Sequence, residues 1–131
     1  MGLVVLAAIG FGLSRGIGGG SGEAPVSTCG DPLDWRQAAQ VEGRIAAVEG
    51  RVAEGSHEPD VGGSPTFLNL GSPHPDPDRF DVVIYEDVRE RFEQPPEQAY
   101  LGREVCVTGQ VRDRDGVPQI VLDSPAHLQA R

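Results

Sequence analysis

The stretch Gly102–Leu122, GREVCVTGQVRDRDGVPQIVL, constrains the fold more than any other part of this sequence. Val105, Val107, Gly109 and Val111 alternate with Cys106, Thr108, Gln110 and Arg112, the period of two of a half-buried strand. Asp115-Gly116 supplies a tight turn, because glycine accepts a positive φ at little steric cost. Pro118 and the run Gln119–Leu122 read as the return strand. A glycine inside an alternating strand marks a bend, a bulge or a close backbone approach. Long bent strands joined by tight hairpins are what a small, strongly coiled barrel needs.

The 131 residues suffice for one small domain and a tail. At 38% hydrophobic and 5% aromatic residues, the chain can build one modest core. Lysine is absent; the 11 basic residues are all arginine, against 20 Asp and Glu, for a net charge of −9. That balance counts against electrostatic attraction to nucleic acid or to an anionic membrane. The first residues, MGLVVLAAIGFGL, are an apolar run followed by Ser14-Arg15 and the glycine cluster of Gly16–Gly22. The run is shorter than the roughly 20 residues that cross a bilayer comfortably, and no basic stretch precedes it. Residues 1–22 are therefore expected to be an export signal or a membrane anchor, which places the protein outside the cytoplasm, secreted or held at the cell membrane.

Residues 23–33, with their Pro, Ser and Gly, read as a linker, and 34–126 as the folded domain. Asp34 caps a short helical turn over Trp35–Gln40, and Trp35 is expected to plug one end of the barrel rather than stack on a ligand. The first strand is expected over Val41–Val52, with a one-residue slip at Ala46-Ala47 of the kind a β-bulge produces. Ala53–Pro65 reads as a loop, Thr66–Leu70 as the second strand, Gly71–Arg79 as a Pro-rich loop and Phe80–Tyr85 as the third strand. A helix follows, with Asp87 and Glu90 as a capping box and Val88 and Phe92 on its inner face. Pro95-Pro96 ends it, and Glu97–Leu101 adds a turn. The hairpin completes strands four and five.

Three strands, a helix and two strands predict an all-β fold with one short helix. In architecture this is a five-stranded Greek-key OB-fold barrel with the helix between strands three and four. Val41-Glu42-Gly43, Val48-Glu49-Gly50-Arg51-Val52, the run from Pro65 to Gly71, Phe80–Tyr85, Gly102, the run from Val105 to Gly109 and Pro118-Gln119-Ile120 carry a resemblance in keeping with this. On these residues the chain resembles a family of exported bacterial OB-fold domains described as nucleic-acid-binding, and is similar to tRNA-anticodon-type OB domains. The shared positions are mostly core valines and turn glycines, so the resemblance speaks to architecture more than to ligand.

Cys29 and Cys106 are the only two cysteines, and they fit an exported protein with one bridge. Two unpaired thiols are the alternative. Alternation puts Cys106 on the strand face opposite Val105 and Val107, where an N-terminal segment could bring Cys29.

An OB barrel presents its ligand on the outer face of strands two and three. Parity sends Phe67, Asn69, Asp81, Val83 and Tyr85 to that face. Phe67 and Tyr85 could stack bases, Asn69 could hydrogen-bond, and Arg44, Arg51 and Arg79 could neutralise phosphates. The competing expectation is that Phe67 and Tyr85 are simply covered by loops or by the N-terminal segment. Each arginine also has acidic neighbours in sequence, which is the pattern of a solvated surface.

Catalytic readings find less support. Asp81, Glu86 and Asp87 with Arg79 or Arg89 offer the residue types of an OB-fold nuclease but match no motif. His57, Glu58 and Asp60, or His74, Asp76 and Asp78, lack any recognised metal-ligand spacing. The expectation is a monomeric, non-catalytic binding module without cofactor or metal. Its partner is single-stranded nucleic acid or another extended polymer; the alternative is an extracytoplasmic protein- or envelope-interaction domain.

Overall fold

The computed structural model describes residues 24–131. Seven strands follow in chain order: β1 (Leu33–Asp34), β2 (Ile45–His57), β3 (Thr66–Leu70), β4 (Phe80–Ile84), β5 (Glu104–Arg114), β6 (Val117–Val121) and β7 (Leu128–Ala130). The helices are short: a 3₁₀ helix over Trp35–Val41, α1 (Glu86–Arg89), α2 (Pro96–Ala99) and a 3₁₀ turn over Pro125–His127. The protein is mostly β, with these helices between strands of one sheet.

Strand β2 is long enough to serve two neighbours. Its first half pairs antiparallel with β5 and its second half antiparallel with β3. β3 pairs with β4, β4 runs parallel to β6, and β5 and β6 form the hairpin around Asp115-Gly116. The succession β2–β3–β4–β6–β5 therefore returns to β2, an OB-like arrangement. β1 and β7 are additions to it, parallel to β2 and antiparallel to β5 respectively.

The interior is filled by the alternating residues of these strands, among them Val48, Val52, Leu68, Leu70, Phe80, Val82, Ile84, Val105, Val107, Val111 and Ile120. Each such side chain, taken fully out of water, contributes about 1.5–3 kcal/mol. Gly109 is the glycine inside the alternating strand, and a Cβ there would stand 2.6 Å from Ile120 Cγ2. Close approach is thus the reason for that glycine. Trp35 is buried as part of the core, packed against Gly50 and Gly71. A Cβ at Gly50 would lie 2.9 Å from the indole, and one at Gly71, whose φ is +88°, would overlap the ring.

Several expectations need correction. Five strands and one helix were expected; the sheet has seven strands, and the region after β4 holds two single-turn helices. Val41 belongs to the 3₁₀ helix, and Gly43 at φ +86° turns the chain before the first long strand begins at Ile45. That strand continues to His57, through residues expected as loop, because Glu54–His57 find backbone partners in β3. The register with β5 is unbroken from Ile45 to Arg51, so no bulge occurs at Ala46-Ala47. Both alanines are buried because the strand is covered on both faces, and the irregularity falls instead between Val52 and Glu54. Asp87 does not cap α1. Tyr85 is the N-cap, without a side-chain bond, and Glu86 and Asp87 form the first turn. Val88 is buried and Phe92 packs against the core, as their spacing predicts. Pro96 opens α2 at a first-turn position, where its missing N–H costs nothing.

The cover on the outer face of β2 and β5 is the chain's own N-terminal segment, from Val26 onward. Val26 N–H donates to the Ile45 carbonyl at 2.8 Å, and Ser27 Oγ bonds both the N–H and the C=O of Ala47. Cys29 and Cys106 are joined in a disulfide with a Cα–Cα distance of 5.9 Å. Arg131, just past β7, donates to the Cys29 carbonyl and faces Glu49 at 3.7 Å. From Val26 onward the stretch expected as a linker is thus docked on the sheet, and the strands continue past 126 into β7. The apolar run within 1–22 lies outside the described residues. Among the described residues no helix is long and apolar enough to cross a membrane.

Candidate ligand-binding groove

A groove of about 650 Å³ lies over the outer face of β3, β4 and the second half of β2. Period-two alternation assigns its floor: Ser56 of β2 stands opposite Phe67 of β3, and Glu54 opposite Asn69, which in turn faces Asp81 of β4. Three loops wall it. The β2–β3 loop contributes Val61, the β3–β4 loop contributes His74, Pro75 and Pro77, and the β5–β6 hairpin contributes Arg114, Asp115 and Val117.

The floor holds a built polar cluster. Asp81 Oδ1 accepts from Asn69 Nδ2 at 2.7 Å and from Arg79 Nε at 2.8 Å, while Asp81 Oδ2 accepts from the other arm of Arg79 at 3.1 Å. The remaining Arg79 nitrogen donates to the Asp76 carbonyl at 2.7 Å. The Arg79 and Asp81 side chains are only 11% and 8% exposed. A planar guanidinium held by two parallel bonds is a strong, directional pairing. It neutralises the cation nearest the groove floor and ties the end of the β3–β4 loop to the sheet. Glu54 adds a second tie, since its Oε1 accepts from the His74 backbone N–H at 3.0 Å.

Of the residues expected to form a site, Phe67, Asn69 and Arg79 meet in this groove. Asn69 and Arg79 already donate to Asp81, and Arg79 donates to the Asp76 carbonyl as well. Tyr85 does not line the groove. Its ring lies against Gly63, where a Cβ would come within 2.7 Å of it, and the Glu86 N–H holds the Gly63 carbonyl at 3.1 Å. The covering loop expected as the alternative is what Tyr85 meets. Val83, also sent outward by parity, is buried. Arg44 immediately precedes β2 and Arg51 lies in its first half, against β5, and neither lines the groove. Arg44 exchanges backbone bonds with Val111 and Val41, and Arg51 pairs in register with Glu104.

Glu54, Ser56 and Glu58 were missed as groove residues because their segment read as loop. The alternation of Glu54, Ser56 and Glu58 across Gly55 and His57 was the available signal. With Asp81 and Asp115 they put four carboxylates around the groove, against the guanidiniums of Arg79 and Arg114.

A second polar cluster lies where α1 and α2 meet the end of β2. Gly55 permits the contact, since a Cβ there would stand 2.7 Å from the Glu97 carbonyl oxygen. Arg89 pairs with Glu97 at 2.7 Å, and His57 Nε2 lies 3.3 Å from Glu86 Oε1. Burial pushes the Glu97 carboxyl up, but the Arg89 hydrogen bond, its own backbone N–H and the electrostatic influence of Arg89 and His57 outweigh it. The carboxyl is held below the ordinary glutamate range. The same hydrogen bond raises the Arg89 guanidinium against a smaller opposing effect of burial.

No protein-family model matches the sequence, and no curated protein does. Among solved structures the chain is similar to an aspartyl-tRNA synthetase from Entamoeba histolytica, at 13% identity and a TM-score of 0.54, over 76% of this chain and 21% of that one. It is also similar to the asparaginyl-tRNA synthetase from Pyrococcus horikoshii, at 15% identity and a TM-score of 0.49, over 76% of this chain and 22% of that one. The chain spans about a fifth of the length of these enzymes. At 13% identity the likeness to the aspartyl-tRNA synthetase is one of fold alone.

Proposed function

We propose that this protein is a non-catalytic binding module of OB type, with β2–β6 as its five-stranded Greek-key barrel, that receives an extended polymer in the groove over β3 and β4. The observation that carries the reading is the groove itself. It lies on the outer face of the strands that correspond to strands two and three of an OB barrel, between the loops that flank an OB ligand, with Phe67 half-buried on its floor. Such a site works by shape and stacking rather than by bond making. Phe67 supplies an aromatic face, and the Asn69–Asp81–Arg79 cluster holds the floor rigid beneath it.

A single-stranded nucleic acid is the second reading. The fold likeness to a tRNA synthetase and the aromatic position of Phe67 favour it. The Cys29–Cys106 disulfide supports placement outside the cytoplasm, since such bridges persist in oxidising compartments. Secretion or tethering through residues 1–22 goes with that placement.

Titration of labelled single-stranded DNA, single-stranded RNA and unstructured peptides against the disulfide-intact protein at low salt tests the reading. Saturable binding by one of them, weakened about tenfold or more by Phe67→Ala, is expected from the loss of one stacking or apolar anchor. Failure of every polymer to bind would remove the binding-module reading.

A further inference from the structure

We propose that the polymer is a basic polypeptide: an extended segment carrying Arg or Lys side chains among apolar or proline residues. The proposal rests on the binding-module reading and names the partner class of the same groove. Three observations carry it.

The first is charge. Glu54, Glu58, Asp81 and Asp115 line the groove against Arg79 and Arg114. The Arg79 guanidinium is 11% exposed and its charge is compensated by the Asp81 carboxylate, while a further nitrogen donates to the Asp76 carbonyl, so it offers little positive charge to a ligand phosphate. Among the described residues Arg114 is the other arginine that lines the groove, and single-strand grooves need a positive track along the backbone. By contrast, neither Glu58 nor Asp115 has a side-chain ion-pair or hydrogen-bond partner among the described residues. Two carboxylates are thus left to meet incoming cations.

The second is spacing. Glu54 lies in the second half of β2 and Glu58 is the first residue past its end at His57, four residues further on, where its N–H still donates to the Pro65 carbonyl. At about 3.3 Å per residue they stand roughly 13 Å apart along the strand. Side chains four residues apart on one face of an extended peptide repeat at the same interval, so two basic residues in that register reach Glu58 and the Glu54 carboxylate, whose Oε1 also accepts from the His74 N–H.

The third is the apolar lining. Phe67, Val61, Val117, Pro75 and Pro77 stand among the charges, and Val61 is 53% exposed on the rim. An exposed valine beside a half-buried phenylalanine suits aliphatic or proline side chains between the basic ones. The net charge of −9 adds long-range attraction for a polycation and repulsion for a polyanion.

The experiment is fluorescence anisotropy on the intact, oxidised protein with three labelled probes. These are an unstructured peptide alternating Arg or Lys with Pro and Leu, the same peptide with Glu in place of each base, and an oligothymidine. The variants are Phe67→Ala and the double variant Glu58→Gln/Asp115→Asn. The double variant removes charge at side chains without partners and keeps a residue that tolerates the positive φ of 54° at position 115. The basic peptide is expected to bind tightest, to weaken with rising salt and to lose about tenfold in affinity in the double variant, equivalent to about 1.4 kcal/mol. Tighter binding of the oligothymidine, equal binding of the acidic peptide, or basic-peptide binding indifferent to both variants would each overturn the partner class. The first of these leaves the binding module standing. Binding of none of the three probes overturns the module itself.

Discussion

Asp81 shows how a single side chain changes the meaning of its neighbours. Asn69 and Arg79 have the chemistry of ligand contacts, yet both donate to this one carboxylate on the floor of the groove. They are positioning residues, which hold the β3–β4 loop and leave Phe67 as the free surface. Asp81→Asn keeps the shape but strips the counter-charge from a guanidinium that is 11% exposed. Breaking a buried pair from one side costs about 3–5 kcal/mol, whereas an exposed pair would cost under about 1 kcal/mol. A urea denaturation midpoint that falls by the larger amount is the expected result. A change within the smaller range would mean that water reaches the pair.

At the level of elements, the N-terminal segment and the paired helices are each held by a small number of contacts. The bridge from Cys29 to Cys106 closes a loop of 77 residues in sequence and holds the segment from Val26 onward across β2 and β5. Reduction is expected to cost about 2–5 kcal/mol, read as a lower Tm, and to open the 24–31 segment to proteolysis before the sheet. On the other side, α1 and α2 are clasped by Arg89 and Glu97. The Glu97 carboxyl is depressed in the folded state, so its contribution is complete above the ordinary glutamate pKa of about 4.3. It is lost as pH falls through the lower folded value. Stability measured from pH 7 downward should therefore decline along an acid limb. In Glu97→Gln that limb should be shallower and the stability at neutral pH lower; an unchanged acid limb would exclude Glu97 as a contributor. These elements also mark where sequence reading was weakest. β1 and β7 have two and three residues, too few to show a period. Glu54–His57 lacks the β-branched residues that mark a strand, and it became one because β3 lies alongside.

Across the whole molecule, a charge of −9 is spread over a small fold and opposes compaction. Raising ionic strength from low to moderate should raise Tm, because dispersed repulsion is screened more than the buried Arg79–Asp81 pair. A Tm that falls with salt, followed by calorimetry, would show that attractive surface pairs dominate instead. The sequence by itself determined the alternating strands, the turn at Asp115-Gly116, the identity of most core residues and the face on which Cys106 lies. Those features follow from the period of a strand and the steric freedom of glycine, which act within a few residues. The seven-stranded pairing, the cover over Tyr85 and the neutralisation of Arg79 were decided only by tertiary structure. They depend on which distant segments become neighbours: Gly63 against Tyr85, Glu54 against the His74 N–H, and Asp81 between Asn69 and Arg79. The charge of the groove belongs to that second class, since it sums carboxylates from β2, β4 and the β5–β6 hairpin that are far apart along the chain.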